Sequence, residues 1–300
     1  MPEHGVPYES RDEILSVDEI LRIVRLLVPH GLRKVRITGG EPLVRGSEVV
    51  DLVAALTATP GIADVGLTTN AVLLASMAEP LRRAGLRRIN ISLDTLQPER
   101  FAKIARFAKF EETQCGLDAA VAAEFAIKLN MVVMRGLNDD EVCELARLTI
   151  AHPFQVRFLE YMPIGQVRPW EWREKYVSND DVLASLFSEF EIDPLEADSS
   201  STSRLFRIRG AIGTLGVISP MSHKFCAGCN RLRLTANGAL VPCLSDNFEY
   251  DLRAPLRSGA TDSELIEHVR AALAKKPLQS DFEGRVERGG SYRIMAQIGG

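Results

Sequence analysis

No run in the 300-residue chain approaches eighteen consecutive apolar residues, so the sequence offers no membrane-spanning helix. Its opening, Met-Pro-Glu-His-Gly-Val-Pro-Tyr, does not read as a secretory signal. Net charge is small, formally −4, which gives no global pull toward nucleic acid or an anionic membrane; any basic site must be local. There is no low-complexity segment and no internal repeat beyond a helix–strand alternation. Cysteine is scarce. Five residues, an odd number and mostly clustered, suit metal ligation in a reducing cytosol better than a disulfide framework. What remains, 46% hydrophobic and 25% charged residues, describes a globular chain long enough for one large domain and a smaller one.

From residue 17 to about 162 the pattern alternates helix and strand. Strands are expected at Arg33–Thr38, Ala63–Asn70, Arg87–Asp94, Ala126–Met134 and Phe154–Met162, with amphipathic helices near 17–29, 47–58, 73–84, 113–125 and 140–150. That is βα repetition, hence a parallel sheet or barrel. Buried parallel strands usually read as continuous apolar runs, and these do not. Lys34, Arg36 and Thr38 alternate with Val35 and Ile37; Gly66, Thr68 and Asn70 with Val65 and Leu67; Asn90, Ser92 and Asp94 with Ile89, Ile91 and Leu93; Lys128 and Asn130 with Ile127, Leu129 and Met131. Side chains alternate between the faces of a strand, so one face of four neighbouring strands is polar and basic. With helices covering the outside, that face lines the lumen of a curved, open barrel able to hold a charged ligand; the competing reading is a solvated sheet face. Beyond Met162 the pattern changes. Pro163–Tyr176 reads as a long connection, a helix follows near 179–188, and Asp198–Ser203 reads as a loop. Short strands near 204–210, 214–219, 231–235 and 240–242 surround three cysteines, and a helix spans 262–275. The chain therefore divides into regions 1–162 and 163–300.

Cys226, Cys229 and Cys243 form a C-x2-C-x13-C set, a donor array for a soft metal centre. Tetrahedral zinc asks for a fourth ligand, for which His223 is the local substitute; a cubane iron–sulfur cluster held by three cysteines keeps one iron open. Arg231 and Arg233 add two fork-shaped cations suited to phosphate oxygens. Cys115 and Cys143 fall in helical patterns and read as core or spectator thiols. Thr38-Gly-Gly-Glu-Pro42, Thr68-Thr-Asn70, Asn90-Ile-Ser-Leu-Asp94, Lys128-Leu-Asn130 and Glu160-Tyr-Met-Pro163 share the level of the strand ends, where open barrels place ligand loops.

Arg-Ile-Thr-Gly-Gly-Glu-Pro-Leu, Leu-Thr-Thr-Asn, Ile-Asn-Ile-Ser-Leu-Asp-Thr-Leu, Phe-Leu-Glu-Tyr-Met-Pro-Ile-Gly, Phe-Cys-x-x-Cys-Asn-Arg-Leu-Arg-Leu-Thr and the terminal Ile-Gly-Gly together resemble the GTP 3′,8-cyclase family. These are the radical S-adenosylmethionine (SAM) enzymes that open molybdenum cofactor biosynthesis. The resemblance spans nearly the whole chain. It implies an α/β fold: a partial, open TIM-like radical SAM barrel with five of six strands present, plus a C-terminal α+β cluster-binding region. It further implies that a 5′-deoxyadenosyl radical derived from SAM takes hydrogen from C3′ of GTP, and that the ribose radical closes onto C8 of guanine. Carried to matching positions, Gly40, Ser92 and Met162 look like SAM contacts. Arg36, Thr68, Lys128, Arg231 and Arg233 look like GTP contacts, with Lys34 and Arg157 as further candidates that could instead satisfy Asp94 or Glu160. Cys226, Cys229 and Cys243 would hold a substrate-binding 4Fe-4S cluster. Implied partners are an electron donor, the downstream cyclic pyranopterin monophosphate synthase and a second copy in a homodimer, in the cytoplasm; nucleic acid and membrane are not implied.

The chain departs from the family's pattern in one place. The family's C-x3-C-x2-C loop, which holds the cluster that cleaves SAM, is normally followed directly by Met-Pro-Glu, and this sequence starts there. No such spacing occurs among the five cysteines, and an arginine upstream of them in the family has no counterpart. Lys34–Thr38 is then expected to be a sheet edge, and the ligands of a second 4Fe-4S cluster are absent from the 300 residues. The double-glycine tail, Gly299 and Gly300, is expected to thread toward the site. The alternative reading is an inactive GTP-binding remnant that keeps the substrate cluster alone.

Overall fold

The computed structural model describes residues 10, 12–106, 109–165, 168–196, 201–246 and 248–288; the Gly299–Gly300 tail lies outside them. Among the described residues the main sheet has eight strands: β1 (Lys34–Ile37), β2 (Asp64–Thr69), β3 (Arg88–Ser92), β4 (Ala126–Val133), β5 (Gln155–Glu160), β6 (Ile192–Leu195), β7 (Arg204–Ile208) and β8 (Thr214–Ile218). Their spatial order is β1-β2-β3-β4-β5-β8-β7-β6, with β1 to β5 and β8 parallel and the last two joints antiparallel. The first five expected strands stand where the alternation put them, each within two residues at either end. Strand β8 pairs with β5, so the parallel array runs on into the second region of the chain. Strands β1 and β6 end the sheet without pairing to each other, which leaves the barrel open.

Helices α1 (Val17–Leu27), α2 (Ser47–Thr57), α3 (Leu74–Arg83), α4 (Pro98–Ala105), α5 (Phe110–Ala122), α6 (Val142–Ala151), α7 (Pro169–Lys175), α8 (Asn179–Glu189), α9 (Arg253–Arg257), α10 (Asp262–Ala274) and α11 (Phe282–Glu287) follow in chain order. Two start on reciprocal caps: Ser16 with Glu19 for α1, and Thr261 with Glu264 for α10. A proline at the first helical position opens α4 and α7, both unforeseen. The segment 163–176 is thus not all connection, because Trp172 is buried and packs α7 against Met221 and Phe282. A three-stranded sheet, β9 (Arg233–Leu234), β10 (Ala239–Val241) and β11 (Tyr250–Asp251), lies beside α10.

One apolar face of the main sheet makes the core. Leu67, Ile89, Ile91, Leu129, Met131, Val156 and Phe158 are fully buried under the helices. The edge strand differs: Val35 and Ile37 are only half-buried. No described helix is long and apolar enough to cross a membrane.

Candidate active site

The alternate side chains of the strands face the lumen, and strand register sets them in rows. Arg36 lies beside Gly66, and Gly66 beside Arg88. Thr68, Asn90, Lys128 and Gln155 form the next row; Ser92, Asn130, Arg157 and Gly216 form the one nearer the strand ends. Side chains in these rows bond one another: Asn90 Nδ2 donates to Thr68 Oγ1 at 3.0 Å, and the Arg157 guanidinium donates through Nε to Asn130 Oδ1 at 2.8 Å.

The cations are under mutual stress. Burial, then Arg157, Arg88 and Arg36, push the Lys128 ammonium down to about 8. Burial with Arg36 and Arg88 lowers Arg157 to about 9. Burial, Arg88 and Arg231 lower Arg36, while burial and Arg231 lower Arg233 to about 10 against the opposing pull of Cys243 and Cys229. Arg36 also opposes the charge on Arg233, so the lumen cations and the arginines beside the cysteines share one field. Asp64 is the lumen carboxylate that answers them, and it is taken by Arg88, whose Nε lies 2.6 Å from Oδ1 and 2.9 Å from Oδ2. Among the described residues Arg36, Lys128 and Arg233 have no side-chain hydrogen bond or ion pair.

Arg88 was not singled out from sequence, although counting back two from Asn90 reaches it. Gly66 makes room for it: a Cβ there would meet Arg88 Cζ at 2.7 Å. The suggestion that Lys34 and Arg157 satisfy Asp94 or Glu160 does not hold. Lys34 is exposed on the edge strand, and Arg157 is bound to Asn130. Asp94 Oδ1 instead takes the Val132 N–H at 2.8 Å, and burial raises its carboxyl to about 6.

Gly40, Ser92 and Met162 stand just beyond or at the carboxyl ends of β1, β3 and β5. Gly39 has φ +154°, outside what a side chain tolerates well, and starts the turn that aims Glu41 back at the sheet. Glu41 accepts from Leu43 N–H at 3.0 Å, Thr69 hydroxyl at 2.8 Å and Asn70 N–H at 2.7 Å, tying the ends of β1 and β2 together. Glu160 does the same at greater range. Its buried carboxylate accepts from Tyr176 hydroxyl at 3.1 Å, Asn179 N–H at 3.1 Å, Met221 N–H at 2.8 Å, Ser222 N–H at 3.0 Å and the Ser222 hydroxyl. The segment leading to Cys226 is thereby fastened to the end of β5.

The three clustered cysteines are half-buried, and all five cysteines are free. Burial raises the Cys229 thiol, but hydrogen bonds from Arg231 and the charges of Arg231 and Lys276 outweigh it and bring the thiol down to about 7. Arg231 also lies over the Phe225 ring, 4.9 Å from its centroid. His223, the proposed fourth zinc ligand, points to Asp180, with 2.8 Å between Nε2 and Oδ2. Among the described residues no three cysteine, histidine or acidic side chains converge on a single-ion site. A cubane, whose cysteines bind separate irons, asks for no such convergence, and an acidic thiol among cations suits it. Cys115 is exposed rather than core, and Cys143 donates to Ser185 C=O at 3.7 Å.

Residues 2–149 match the Radical SAM superfamily and residues 154–282 match Molybdenum Cofactor Synthesis C. The chain is 45% identical to a GTP 3′,8-cyclase of Heliobacterium modesticaldum, over 100% of this chain and 92% of that one. It is 43% identical to molybdenum cofactor biosynthesis protein 1 of Homo sapiens, over 93% of this chain and 44% of that one. In fold it is similar to Streptococcus suis SuiB bound to S-adenosylmethionine, with TM-score 0.61 and 14% identity over 98% of this chain and 72% of that one.

Proposed function

Because the chain belongs to the GTP 3′,8-cyclase family of radical SAM enzymes, we propose that its open barrel binds GTP between the lumen cations and the cysteine segment and cyclises it. The product is (8S)-3′,8-cyclo-7,8-dihydroguanosine 5′-triphosphate, formed in molybdenum cofactor biosynthesis. The observation that carries this reading is the set of lumen cations without partners among the described residues, Arg36 and Lys128, sharing one field with Arg231 and Arg233 beside three thiols. Cations that repel one another across a half-buried lumen favour a polyanion, and a triphosphate answers all of them at once.

In this reading Arg36 and Lys128 hold the triphosphate, helped by Arg157 and by Arg88, while Thr68 offers a hydroxyl to the ribose or phosphates. Arg231 and Arg233 hold the nucleotide next to the thiols. Gly40, Ser92 and Met162 hold SAM across the strand ends, with Gly40 giving its amino group close backbone approach. Cys226, Cys229 and Cys243 hold a 4Fe-4S cluster that, when bound, offers an iron without a cysteine ligand to the guanine. A SAM-cleaving cluster, for which the 300 residues carry no C-x3-C-x2-C ligand set, would supply the radical chemistry, and the chain's own work is to keep C3′ facing SAM and to exclude water. An electron donor, hand-over of the product to cyclic pyranopterin monophosphate synthase, a homodimer and a cytoplasmic setting complete the proposal; five free thiols suit a reducing compartment.

The test is anaerobic incubation of the iron-reconstituted protein, with the family's C-x3-C-x2-C segment joined ahead of Met1, with GTP, SAM and a strong reductant. The reading expects GTP-dependent formation of 5′-deoxyadenosine together with the cyclised nucleotide in the joined protein. GTP binding with neither product would favour the inactive GTP-binding alternative, and no GTP binding would overturn both.

A further inference from the structure

Every sulfur of the C-x2-C-x13-C set faces a hydrogen-bond donor. Ser280 N–H reaches Cys226 Sγ at 3.3 Å, the Arg231 guanidinium reaches Cys229 Sγ at 3.3 Å, and Ser245 Oγ lies 3.3 Å from Cys243 Sγ. Ser280 is 54 residues from its cysteine and enters from the segment before α11. Ser245 and Ser280 are both buried, at 2% and 8% exposure, so neither hydroxyl can rely on solvent. The peptide plane between Ser280 and Asp281 is pinned at both ends. Lys224 Nζ donates to the Ser280 carbonyl at 3.1 Å, and Asp281 N–H donates to Ser245 Oγ at 3.4 Å. A Cys243 thiolate holding a metal group has no hydrogen to give, so in that state the Ser245 hydroxyl is the donor of the 3.3 Å pair.

Thiolates that hold a cluster gain negative charge when the cluster is reduced. A donor aimed at sulfur favours the reduced form and raises the potential. We propose that Ser245, with Arg231 and the Ser280 N–H, is a donor shell that sets the reduction potential of the group held by Cys226, Cys229 and Cys243. These three are positioning and tuning residues, not ligands. The inference rests on the cluster assignment made under the proposed function.

The experiment compares the iron-reconstituted 300-residue protein with Ser245→Ala, Ser245→Thr and Ser280→Ala. Its readouts are iron content, an EPR-monitored redox titration, and the shift of the Fe–S(Cys) Raman bands on exchange into deuterium oxide. The chain has one three-cysteine set, so the signal reports on that group alone. Ser245→Ala is expected to keep its iron, move to a more negative potential and lose part of the deuterium shift. Ser245→Thr restores both, and Ser280→Ala, which keeps its backbone N–H but loses the hydroxyl 3.5 Å from Cys226 Sγ, moves the potential in the same direction by less. A Ser245→Ala protein with the parent's potential and deuterium shift overturns the proposal. So does a Ser245→Thr protein displaced as far as the alanine variant, since packing rather than a donor would then matter. A parent that takes up no iron sinks the cluster assignment itself, which distinguishes that failure from this one.

Discussion

Strands β2 to β5 are hydrogen-bonded to neighbours on both sides and backed by Leu67, Ile91, Leu129 and Phe158, all fully buried. Residues 219–250 have strands of only two or three residues there, and their place depends on separate side-chain bonds: Glu160 to Met221 and Ser222, Ser280 to Cys226, Arg285 to Asp246 at 2.5 Å. In the first region a functional side chain is positioned by counting along a strand, and losing one contact moves little. In the second, one carboxylate or one serine carries the geometry of a whole segment. The two regions should therefore fail separately and differently.

The sharpest separation should come from Cys243→Ala. It is expected to abolish iron uptake, seen by iron analysis and loss of the cluster's absorbance, while far-ultraviolet circular dichroism of the sheet stays like the parent's. Glu160→Ala is next. It leaves the N–H groups of Asn179, Met221 and Ser222 without their acceptor, at a cost of about 2–5 kcal/mol in thermal or denaturant unfolding. Iron retention should fall with it, since the chain leading to Cys226 is released; unchanged retention would mean that the segment is positioned by something else.

Arg233→Ala should keep full iron content but weaken GTP binding about tenfold to a hundredfold, the worth of one charge-assisted contact. The loss should shrink as salt is raised. A smaller effect is expected from pH. Lys128 sits at about 8 in the free protein, below a free lysine, because burial and Arg157, Arg88 and Arg36 oppose its charge. A bound triphosphate favours the charged form, so binding takes up a proton above pH 8 and weakens by up to about tenfold per pH unit there. Lys128→Arg, which stays charged, should flatten that profile. The sign for stability is opposite: between pH 8 and the free-lysine value the unfolded chain binds more protons, so this group's penalty on the fold is relieved as pH rises.

The five βα strands were legible because a period of two in hydrophobicity and the turn signals between strands are local. The same period exposed Arg36, Lys128 and the polar lumen. Strand β8 was seen as a strand but not as a neighbour of β5, since pairing across more than fifty residues leaves no local mark. Helix α7 was missed because Pro169 reads as a break as easily as a first helical residue. The cysteine spacing announced the thiols, whereas Ser245 and Ser280 matter only through where α11 and the segment after Cys243 come to lie. Glu160 reads in the sequence as a strand-end residue, but the four residues that bond its carboxylate lie 16 to 62 positions away.

One nucleotide is expected to bridge the lumen of the sheet and the cysteine segment. Equilibrium binding of GTP and of guanosine to the iron-reconstituted parent, Lys128→Ala and Cys243→Ala measures it most directly. Lys128→Ala should weaken GTP about tenfold or more and leave guanosine nearly unchanged, while Cys243→Ala should weaken both. GTP affinity unchanged in either variant, or guanosine weakened by Lys128→Ala as much as GTP, would contradict a single bridging site.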